Sequence, residues 1–423
     1  MKFGKVGQIT LVSAIALLVA TLFTACSSTL TVGFMFVATN KQTPGQIEVY
    51  EVNSESGSLR TIPTSPFPSG GRNPVAEVPS FDSKNLYVVN EDDNNVVQFG
   101  IGNDGKLYPQ STVNTPGSFP LAATLNSADS YLYGVDTLQP IAGCSLTNAC
   151  PGDVFVCPIN TDGSLGTPVN GTNQCTNYYP LQLTSSDTTT VLTPTAINLT
   201  ADGKYLYVSA YNATTSRGYL FAFSANSDGT LTSLNGDAPF LLESQSASQS
   251  APVLLKEPVA LASDSGSQYL FVVDKLTNQV ATYTLTAGAP TATTPATVAT
   301  TSITATTGNQ PSALTLAGIA TGADFLYVAN SLDSTVTGYS TSSGILTQIG
   351  TYASDTNPVA IAGDPRKLGF LYTVNFLGSS LSGYQINSSS GALVNTKKTP
   401  YASTVQPTAI AGIPHGGTAT AAK

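Results

Sequence analysis

Residues 194–231 read PTAINLTADGKYLYVSAYNATTSRGYLFAFSANSDGTL, and this stretch predicts a small antiparallel sheet. A first strand follows Pro194 and ends at the turn sequence AlaAspGlyLys at 201–204. The second strand covers 205–208, a polar loop follows at 209–218, and a third strand covers 219–223 before a hairpin turn at 227–229. One such sheet cannot bury both of its faces, so further copies are expected.

The pattern recurs seven times along the chain. A ProXxxAla motif opens each first strand, at Pro74, Pro120, Pro194, Pro258, Pro311, Pro358 and Pro407. The second strand reads Leu, an aromatic and then mostly Val, from Leu86, Leu132, Leu206, Leu270, Leu326 and Leu371, with Met35, Phe36 and Val37 as the seventh copy. The third strand places an aromatic residue three positions after an aliphatic one, as in Ile47 with Tyr50, Val96 with Phe99, Val280 with Tyr283, Val336 with Tyr339 and Leu381 with Tyr384.

The ends of the chain hold an interrupted copy of the repeat. Strands two to four of a blade come first, over residues 34–62, and an isolated first strand ends the array at 407–413. Pairing these two segments in one sheet would remove the exposed edges that an open stack of sheets leaves. The sequence therefore predicts an all-β fold, a seven-bladed β-propeller of four-stranded antiparallel blades closed by N-terminal strands plus a C-terminal strand.

The first residues predict an export signal. Lys2 and Lys5 precede an apolar run at 11–22, which as a helix would span about 20 Å, short of a ~30 Å hydrocarbon core. The run ends in LeuPheThrAlaCys, which resembles a bacterial lipobox with Cys26 as the lipidated residue. An ordinary secretory signal with an incidental cysteine is the alternative. We therefore divide the chain into a lipoprotein signal peptide at 1–25, a lipidated N-terminus and linker at 26–32, the propeller at 33–413 and a disordered tail at 414–423.

The charge of the chain narrows the classes of partner. The formal net charge is −9, and removal of Lys2 and Lys5 with the signal makes the mature chain more acidic still. This balance argues against nucleic acid and against an anionic bilayer surface as electrostatic partners. We expect a monomer that meets the membrane through its lipid anchor only, on the outer-membrane or periplasmic face of a bacterial envelope.

Four cysteines remain after Cys26, namely Cys144, Cys150, Cys157 and Cys175, all between Pro120 and Pro194. In an oxidising compartment an even number of cysteines predicts two disulfides, with three possible connectivities. We favour Cys144 with Cys150 and Cys157 with Cys175, and we expect Cys157 to be buried because it occupies an aromatic third-strand position. Zinc is the alternative, but no histidine is near and paired CysXxxXxxCys units are missing. We predict no metal and no cofactor.

Two further segments, 241–255 and 286–310, are rich in Ser, Thr, Ala and Pro and predict irregular outer strands or edge loops. AspGly at 104, 162, 202 and 228 indicates hairpin turns rather than calcium loops. The acidic sequence GluAspAspAsnAsn at 91–95 is interpreted as a solvated loop, with a cation site as the alternative.

LeuTyrValValAsn at 86–90, LeuTyrValAlaAsn at 326–330 and LeuTyrThrValAsn at 371–375 resemble the YVTN repeats of lactonase-type seven-bladed propellers. That family is similar to bacterial 6-phosphogluconolactonase and to the fungal muconate-lactonizing enzyme. The resemblance implies a central cleft in which a histidine, with nearby Glu and Arg, opens or closes a lactone. This chain departs from the pattern, since its one histidine, His415, follows the last strand and its arginines are only Arg60, Arg72, Arg217 and Arg366.

Propeller geometry indicates where a ligand would bind. The turns between second and third strands and the loops that enter each first strand lie on one face, around the axial opening. There the sequence offers Arg72, Asn73, Asn90, Glu91, Asp136, Asn212, Asp274, Lys275, Asn330, Asn357 and Asn375. An Asn or Asp at the end of a second strand is also a common loop cap. The charged residues Arg72, Asp274 and Lys275 are therefore the stronger ligand candidates.

Three functions compete at this point. The first is an envelope-anchored binding or scaffold propeller for a protein, glycan or small ligand, favoured by the absence of a core histidine. The second is a lactone hydrolase of the resembling family. The third is a structural envelope component whose ring serves as a stable spacer.

Overall fold

The computed structural model describes residues 31–40, 43–169, 172–187, 189–244, 253–285, 303–320 and 322–415. Within these ranges the chain forms 35 β-strands and one short 3-10 helix, Ser342–Gly344. The strands build seven antiparallel sheets of four or five strands and two small two-stranded ribbons. The predicted all-β seven-bladed propeller is confirmed. No helix in the described part of the chain is long and apolar enough to cross a bilayer.

The first strand of every blade faces the propeller axis. Numbered in chain order, these strands are β5 (Pro74–Pro79), β9 (Ser118–Leu125), β15 (Thr193–Leu199), β22 (Pro258–Ser263), β26 (Pro311–Gly318), β30 (Pro358–Gly363) and β35 (Pro407–Pro414). Each contacts the first strand of the blade before it and of the blade after it, and β30 contacts β35, which contacts β5. We number the blades 1 to 7 in this order.

The second and third strands form the buried middle of each blade. The second strands are β1 (Thr31–Thr39), β6 (Asn85–Asn90), β10 (Tyr131–Leu138), β16 (Tyr205–Asn212), β23 (Tyr269–Asp274), β27 (Asp324–Asn330) and β31 (Phe370–Asn375). The third strands are β2 (Gln46–Asn53), β7 (Asn95–Ile101), β11 (Asp153–Pro158), β17 (Arg217–Ala225), β24 (Gln279–Thr284), β28 (Thr335–Ser340) and β32 (Ser380–Ile386).

The outer strands are shorter and less regular. They are β3 (Leu59–Thr61) with β4 (Phe67–Pro68), β8 (Leu107–Asn114), β14 (Asn177–Pro180), β18 (Leu231–Ser233) with β19 (Phe240–Leu241), β25 (Ile303–Thr306), β29 (Thr347–Ala353), and β33 (Leu393–Asn395) with β34 (Tyr401–Ala402). The two ribbons pair β12 (Thr167–Val169) with β13 (Thr172–Gln174) and β20 (Glu243–Ser244) with β21 (Val253–Leu254). The rest of the two low-complexity segments lies largely outside the described residues.

Blade 7 joins the two ends of the described chain. Strand β35 pairs antiparallel with β1, from Thr39 opposite Pro407 to Gly33 opposite Pro414. This is the pairing that the interrupted sequence repeat requires. Because β1 runs toward the end of the ring where the prolines lie, Thr31 and Pro414 are both at the opposite end. Strand β1 includes Thr31 and Val32, which the sequence analysis assigned to the linker. Residues 1–30, with the predicted signal and Cys26, lie outside the described residues.

Each ProXxxAla motif forms a β-bulge. In blade 1, Ala76 lies opposite Val89 but Pro74 lies opposite Asn90, so the residue between them has no partner in the ladder. The same register shift occurs at the motif in the other six blades. Proline cannot donate to the ladder, and a bulge is one of the places where a sheet accepts it. The sequence pattern placed each proline at the start of a strand and did not predict this bulge.

The polar loop predicted at 209–218 is wrong in extent. The second strand continues to Asn212, and the third begins at Arg217, in register with it. Ser209 is fully buried within the sheet, where its hydroxyl hydrogen-bonds that of Thr195 at 2.8 Å. A serine at this position satisfies its own hydrogen bonding locally, so its polarity does not indicate a loop. Only residues 213–216 form the turn.

Hydroxyl groups of the LeuTyrVal tyrosines join neighbouring blades. Tyr87, Tyr327 and Tyr372 donate to the backbone carbonyls of Gly163, Gly391 and Gly57, each at 2.8 Å. Each acceptor is the glycine of the third-to-fourth-strand turn in the following blade. These glycines have φ between 62° and 83°, a region in which a side chain is strained.

The glycines of these turns also pack against aromatic rings. A Cβ added to Gly391 would lie 2.4 Å from the ring of Phe325, and one added to Gly57 would lie 2.3 Å from that of Phe370. Gly105, Gly229 and Gly344 have the same relation to Phe34, Tyr131 and Tyr269. The glycine is therefore needed both for the backbone conformation and for the close approach of the next blade.

Third-strand tyrosines connect blades in the other direction. Tyr50, Tyr339 and Tyr384 donate to carbonyls on outer strands of the preceding blades, at Ala402, Thr306 and Ala353. All three tyrosines are buried. The predicted buried aromatic residue of the third strand is thus confirmed, and its hydroxyl adds an inter-blade hydrogen bond.

Glu77 breaks the pattern of the core. Its register position is occupied by Ile197, Leu261, Leu314, Ile361 and Ile410 in five other blades. Its carboxyl oxygens are buried without a hydrogen-bond partner among the described side chains, and burial raises the pKa of Glu77 well above its usual value. Burial therefore favours the neutral, protonated form of this carboxyl group.

Both predicted disulfides, which involve the four cysteines of blade 2, are confirmed. Cys144 bonds Cys150 with a Cα–Cα distance of 5.6 Å, and Cys157 bonds Cys175 at 4.8 Å. Cys157 is fully buried, as expected from its aromatic-equivalent position. The first bridge closes the loop between the second and third strands of the blade, and the second ties β11 to the segment beside its outer strand.

We expect Tyr327→Phe to destabilise the protein by about 1–3 kcal/mol, because it leaves the buried carbonyl of Gly391 without its donor. The measurement is the midpoint and slope of urea unfolding. Tyr108→Phe is the matched control, since Tyr108 is 46% exposed on an outer strand. Equal unfolding midpoints for the wild type and Tyr327→Phe would contradict the role assigned to the hydroxyl.

Candidate functional site

The candidate site surrounds the axial opening at the end of the ring where the seven first strands begin. The turns between second and third strands lie at the same end, because each first strand starts opposite the end of its second strand. We call this end the axial face.

Five blades build the edge of the opening in the same way. The backbone N–H of the residue after the second strand donates to the carbonyl of the residue before the proline. The pairs are Asn40 with Gln406, Glu91 with Asn73, Lys275 with Glu257, Ser331 with Gln310, and Phe376 with Asn357, at 2.9–3.3 Å. We call these ten residues the axial rim. Six of the ten carry a neutral amide or hydroxyl group.

Four amide residues of the rim have left-handed backbones. Asn73, Gln310, Asn357 and Gln406 have φ between 49° and 61°. A following proline disfavours the right-handed helical region, and Asn tolerates the left-handed region better than most residues. At the same position of blade 2, Phe119 has φ 58°, which is uncommon for a bulky side chain. The left-handed backbone before each proline thus fixes the direction in which these side chains leave the main chain.

Six of the predicted site residues are buried caps at the ends of second strands. They are Asn90, Asp136, Asn212, Asp274, Asn330 and Asn375, with exposures of 0–6%. The carboxylate of Asp274 illustrates the role, since one oxygen accepts from the N–H groups of Lys256 and Glu257 and the other from the N–H of Thr277. These side chains connect the turn to the loop that enters the first strand, and they support the rim from below.

Two predicted cations are held by neighbouring carboxylates. Arg72 forms an ion pair with Asp93 at 2.6 Å and donates from Nη2 to the carbonyl of Asp92. Lys275 Nζ donates to Glu257 Oε1 at 2.8 Å. Since both cations are partly exposed, each pair contributes little to stability. The pairs leave the rim without a net positive charge at either place.

Asn73 and Glu91 form a hydrogen-bonded cluster in blade 1. Asn40 Nδ2 donates to Asn73 Oδ1 at 3.4 Å, and Asn73 Nδ2 donates to Glu91 Oε2 at 2.7 Å. Partial burial and the nearby charge of Asp92 raise the pKa of Glu91. Glu91 is therefore a half-exposed carboxylate on the rim whose basicity exceeds that of a free side chain.

Asp136 and Asp153 form a buried acid pair in blade 2. They are direct partners across β10 and β11, and both are fully buried. Asp136 Oδ2 accepts from the N–H of Gly117, but Asp136 Oδ1 and both oxygens of Asp153 have no described partner. The equivalent pairs elsewhere include Asn90 with Asn95 and Asn375 with Ser380, which are neutral and hydrogen-bonded.

Burial raises the pKa of Asp136 to about 7 and that of Asp153 well above its usual value, with the neighbouring Asp136 charge adding to the second shift. Two carboxylates that share a buried site cannot both ionise readily, so the pair retains a proton. It lies at the base of the loop 139–152 that the Cys144–Cys150 bridge closes. Leu146 in that loop is 67% exposed.

His415 lies at the opposite end of the ring. Its N–H donates to the carbonyl of Val32, and its ring packs edge-on against Phe34 at 5.4 Å. Its carbonyl accepts from Arg366. Arg60 is also remote from the axial rim, on the outer strand of blade 7. The structure therefore separates the histidine from the axial face, in agreement with the sequence.

Six residues of the axial rim were not predicted from the sequence, namely Asn40, Glu257, Gln310, Ser331, Phe376 and Gln406. The signal was present, because each precedes a ProXxxAla proline or follows a second strand. Among the described residues, no cluster of three or more His, Cys, Asp or Glu side chains could hold a metal ion.

Comparisons with known proteins agree with this architecture. Residues 260–410 match the family described as Lactonase, 7-bladed beta-propeller, which confirms the resemblance to lactonase-type propellers. No curated protein sequence matches the chain significantly.

Solved structures share the fold at low identity. The 6-phosphogluconolactonase candidate of Bacteroides fragilis is 19% identical, with a TM-score of 0.68 over 92% of this chain and 99% of the other. The periplasmic gluconolactonase of Pseudomonas aeruginosa is 19% identical, with a TM-score of 0.66 over 90% of this chain and 99% of the other. A Lactobacillus plantarum protein is 17% identical, with a TM-score of 0.65 over 90% and 99%. At these identities the likeness establishes the fold.

We expect Asp153→Asn to flatten the dependence of stability on pH. The folded pair has raised pKa values, so its contribution is fully present below about pH 4 and is lost as pH rises through 7 and above. An amide at 153 can donate to Asp136, as Asn90 donates to Asn95. The difference in melting temperature between pH 5 and pH 8 should therefore shrink in the variant.

The matched control for this measurement is Asp104→Asn, in an exposed turn of blade 1. It should leave the pH profile unchanged. If the profile of Asp153→Asn equals that of the wild type, the two carboxyl groups do not share a proton.

Proposed function

We propose that the axial rim binds a neutral, polyhydroxylated ligand such as a sugar unit of an envelope glycan, and that the chain acts as a binding module. The observation that carries the proposal is the repeated amide at the residue before the inner proline, in Asn73, Gln310, Asn357 and Gln406. Each amide offers a donor and an acceptor, which suits hydroxyl groups that both donate and accept.

The electrostatics of the rim also favour an uncharged ligand. Its ionisable residues are Glu91, Glu257 and Lys275, and Lys275 is held by Glu257. A phosphorylated ligand would require unpaired cations, which charge-assisted recognition of phosphate uses. Phe119 and Phe376 are half-buried at the same face and offer apolar ring surface beside the amides.

The binding test uses a panel of neutral mono- and oligosaccharides and titration calorimetry with the wild type and with Gln310→Ala and Asn357→Ala. Each substitution should weaken binding roughly fivefold, since one neutral hydrogen bond contributes about 1 kcal/mol. Gln385→Ala, an exposed amide away from the rim, is the matched control. Binding that tolerates both rim substitutions would contradict the proposal.

A second candidate function is hydrolysis of a neutral sugar lactone at the same rim. It is supported by the lactonase family match at 260–410 and by the raised pKa of Glu91. Glu91 would accept a proton from water as the oxygen attacks the lactone carbonyl. The same proton would return to the ring oxygen as the ester bond breaks, giving the hydroxy acid.

A lactone panel separates these two functions. If the chain is a hydrolase of this kind, it opens neutral lactones such as glucono-1,5-lactone above the uncatalysed rate, and Glu91→Gln lowers kcat by about 100-fold or more. Asp104→Asn is the control, since Asp104 is exposed in the turn between β7 and β8 of the same blade, away from the rim. Saturable sugar binding with no lactone opening would support the binding module and would exclude the hydrolase.

We further propose that the protein is exported and anchored through Cys26. The two disulfides of blade 2 suit an oxidising compartment, and one similar fold is a periplasmic enzyme. In the expressing bacterium, Cys26→Ala should move the protein from the membrane fraction to the soluble exported fraction. Retention of the variant in the membrane fraction after a high-salt wash, which removes electrostatically bound protein, would overturn the anchor.

A further inference from the structure

A groove of about 370 Å³ lies between blades 6 and 7, on the side of the ring away from the axial rim. Its lining includes the basic side chains of Arg60, Lys397 and Lys398 and one acid, Glu51. Glu51 pairs with Arg60. The ammonium groups of the two lysines have no hydrogen-bond or ion-pair partner among the residues that the structure describes, so the groove carries a local excess of positive charge.

The excess is unusual for this chain. The protein has a net charge of −9, and other basic side chains, such as Lys84, Lys204 and Lys367, are each paired with an aspartate. Two adjacent, exposed and unpaired lysines therefore stand out. Net charge describes the field at long range, whereas a local cluster acts within a Debye length of about 8–10 Å. The groove can thus attract an anion although the whole protein is acidic.

The rest of the groove's lining is mostly polar. It contains the hydroxyl residues Thr31, Ser56 and Ser58 and the amide of Asn53. Ser58 Oγ donates to the carbonyl of Lys397, which fixes the lysine segment of blade 6 against the turn of blade 7. Lys398 has a left-handed backbone with φ 69°. Since the hydroxyls of Ser56 and Ser58 donate within the protein, the ammonium groups of Lys397 and Lys398 are the groups that the groove offers to phosphate oxygens.

The position of the groove indicates the source of the phosphate. Thr31 is part of its lining and is also the first residue of β1. Four residues lie between it and Cys26, and the five steps of extended chain from Cys26 to Thr31 reach at most about 18 Å. If Cys26 is anchored as proposed, the groove is the part of the propeller held next to the lipid headgroups.

We propose that this groove docks the propeller on the anionic phospholipid surface of the membrane that holds its anchor. Lys397 and Lys398 contact headgroup phosphates, and the axial rim, at the far end of the ring, is left open to ligands. The inference does not depend on the ligand of the rim. The groove gives the protein a second contact with the membrane, in addition to the acyl chain.

The test uses the chain from Ser27 to Lys423, which lacks the acyl chain and contains every described residue of the closed ring. Its binding to vesicles of phosphatidylcholine alone and with 30% phosphatidylglycerol is measured by co-sedimentation in 50 mM salt. We expect binding to the anionic vesicles only. Lys397→Ala with Lys398→Ala should weaken it about 25-fold, since one lysine near an anionic surface is worth roughly fivefold.

Lys84→Ala with Lys204→Ala is the matched control, because it removes the same charge from exposed, aspartate-paired lysines of other blades. It should keep wild-type binding. Equal binding to both vesicle types, equal loss in both double variants, or no binding at all would overturn the proposal. Lysine-dependent binding of inorganic phosphate without vesicle binding would also overturn it, since the groove would then be a small-anion site.

Discussion

The ring depends on the contact between a second-strand tyrosine and the turn glycine of the next blade. In three blades the tyrosine hydroxyl donates to that glycine's carbonyl at 2.8 Å, and two of the three glycines, Gly57 and Gly391, also lie against an aromatic ring. A buried carbonyl without a donor costs about 1–3 kcal/mol, and a larger residue at the glycine would collide with the ring. Because third-strand tyrosines of blades 5, 6 and 7 bond the preceding blade, blades 5 and 6 are bonded to both of their neighbours through tyrosine hydroxyls.

The repeat predicts the fold because these contacts use the residues that recur. The blade number, the strand order, the turn glycines and the buried aromatic residues all follow from ProXxxAla and LeuTyrVal. These motifs do not predict the bulge at each proline. They also do not predict that the second strand continues beyond Ser209, because a buried serine cannot be told from a loop serine until its hydrogen-bond partner is known. Glu77 was also missed, because its aliphatic equivalents are only apparent from the strand register.

The site could be predicted only in part, because proximity across strands is not visible along the chain. The sequence located the axial face and identified Asn73, Glu91, Lys275 and Asn357 on it. It could not separate buried caps such as Asn375 from exposed rim residues such as Gln310. Asp136 and Asp153 are separated by a long loop, so only the register brings them together. The scaffold residues thus lie at the Pro, Gly, Leu and Tyr positions of the repeat. The residues that differ between blades, and that distinguish function, lie before the proline and after the second strand.

Hydrogen exchange measured with and without a neutral ligand tests most directly whether the axial rim is the functional surface. The probes are D-glucose and glucono-1,5-lactone at saturating concentration. The account predicts slower exchange of the rim amides, including those of Asn40, Lys275, Ser331 and Phe376, with no change at the opposite turns near Gly203 and Gly391. Protection confined to those opposite turns, or no protection anywhere with either probe, would contradict the account.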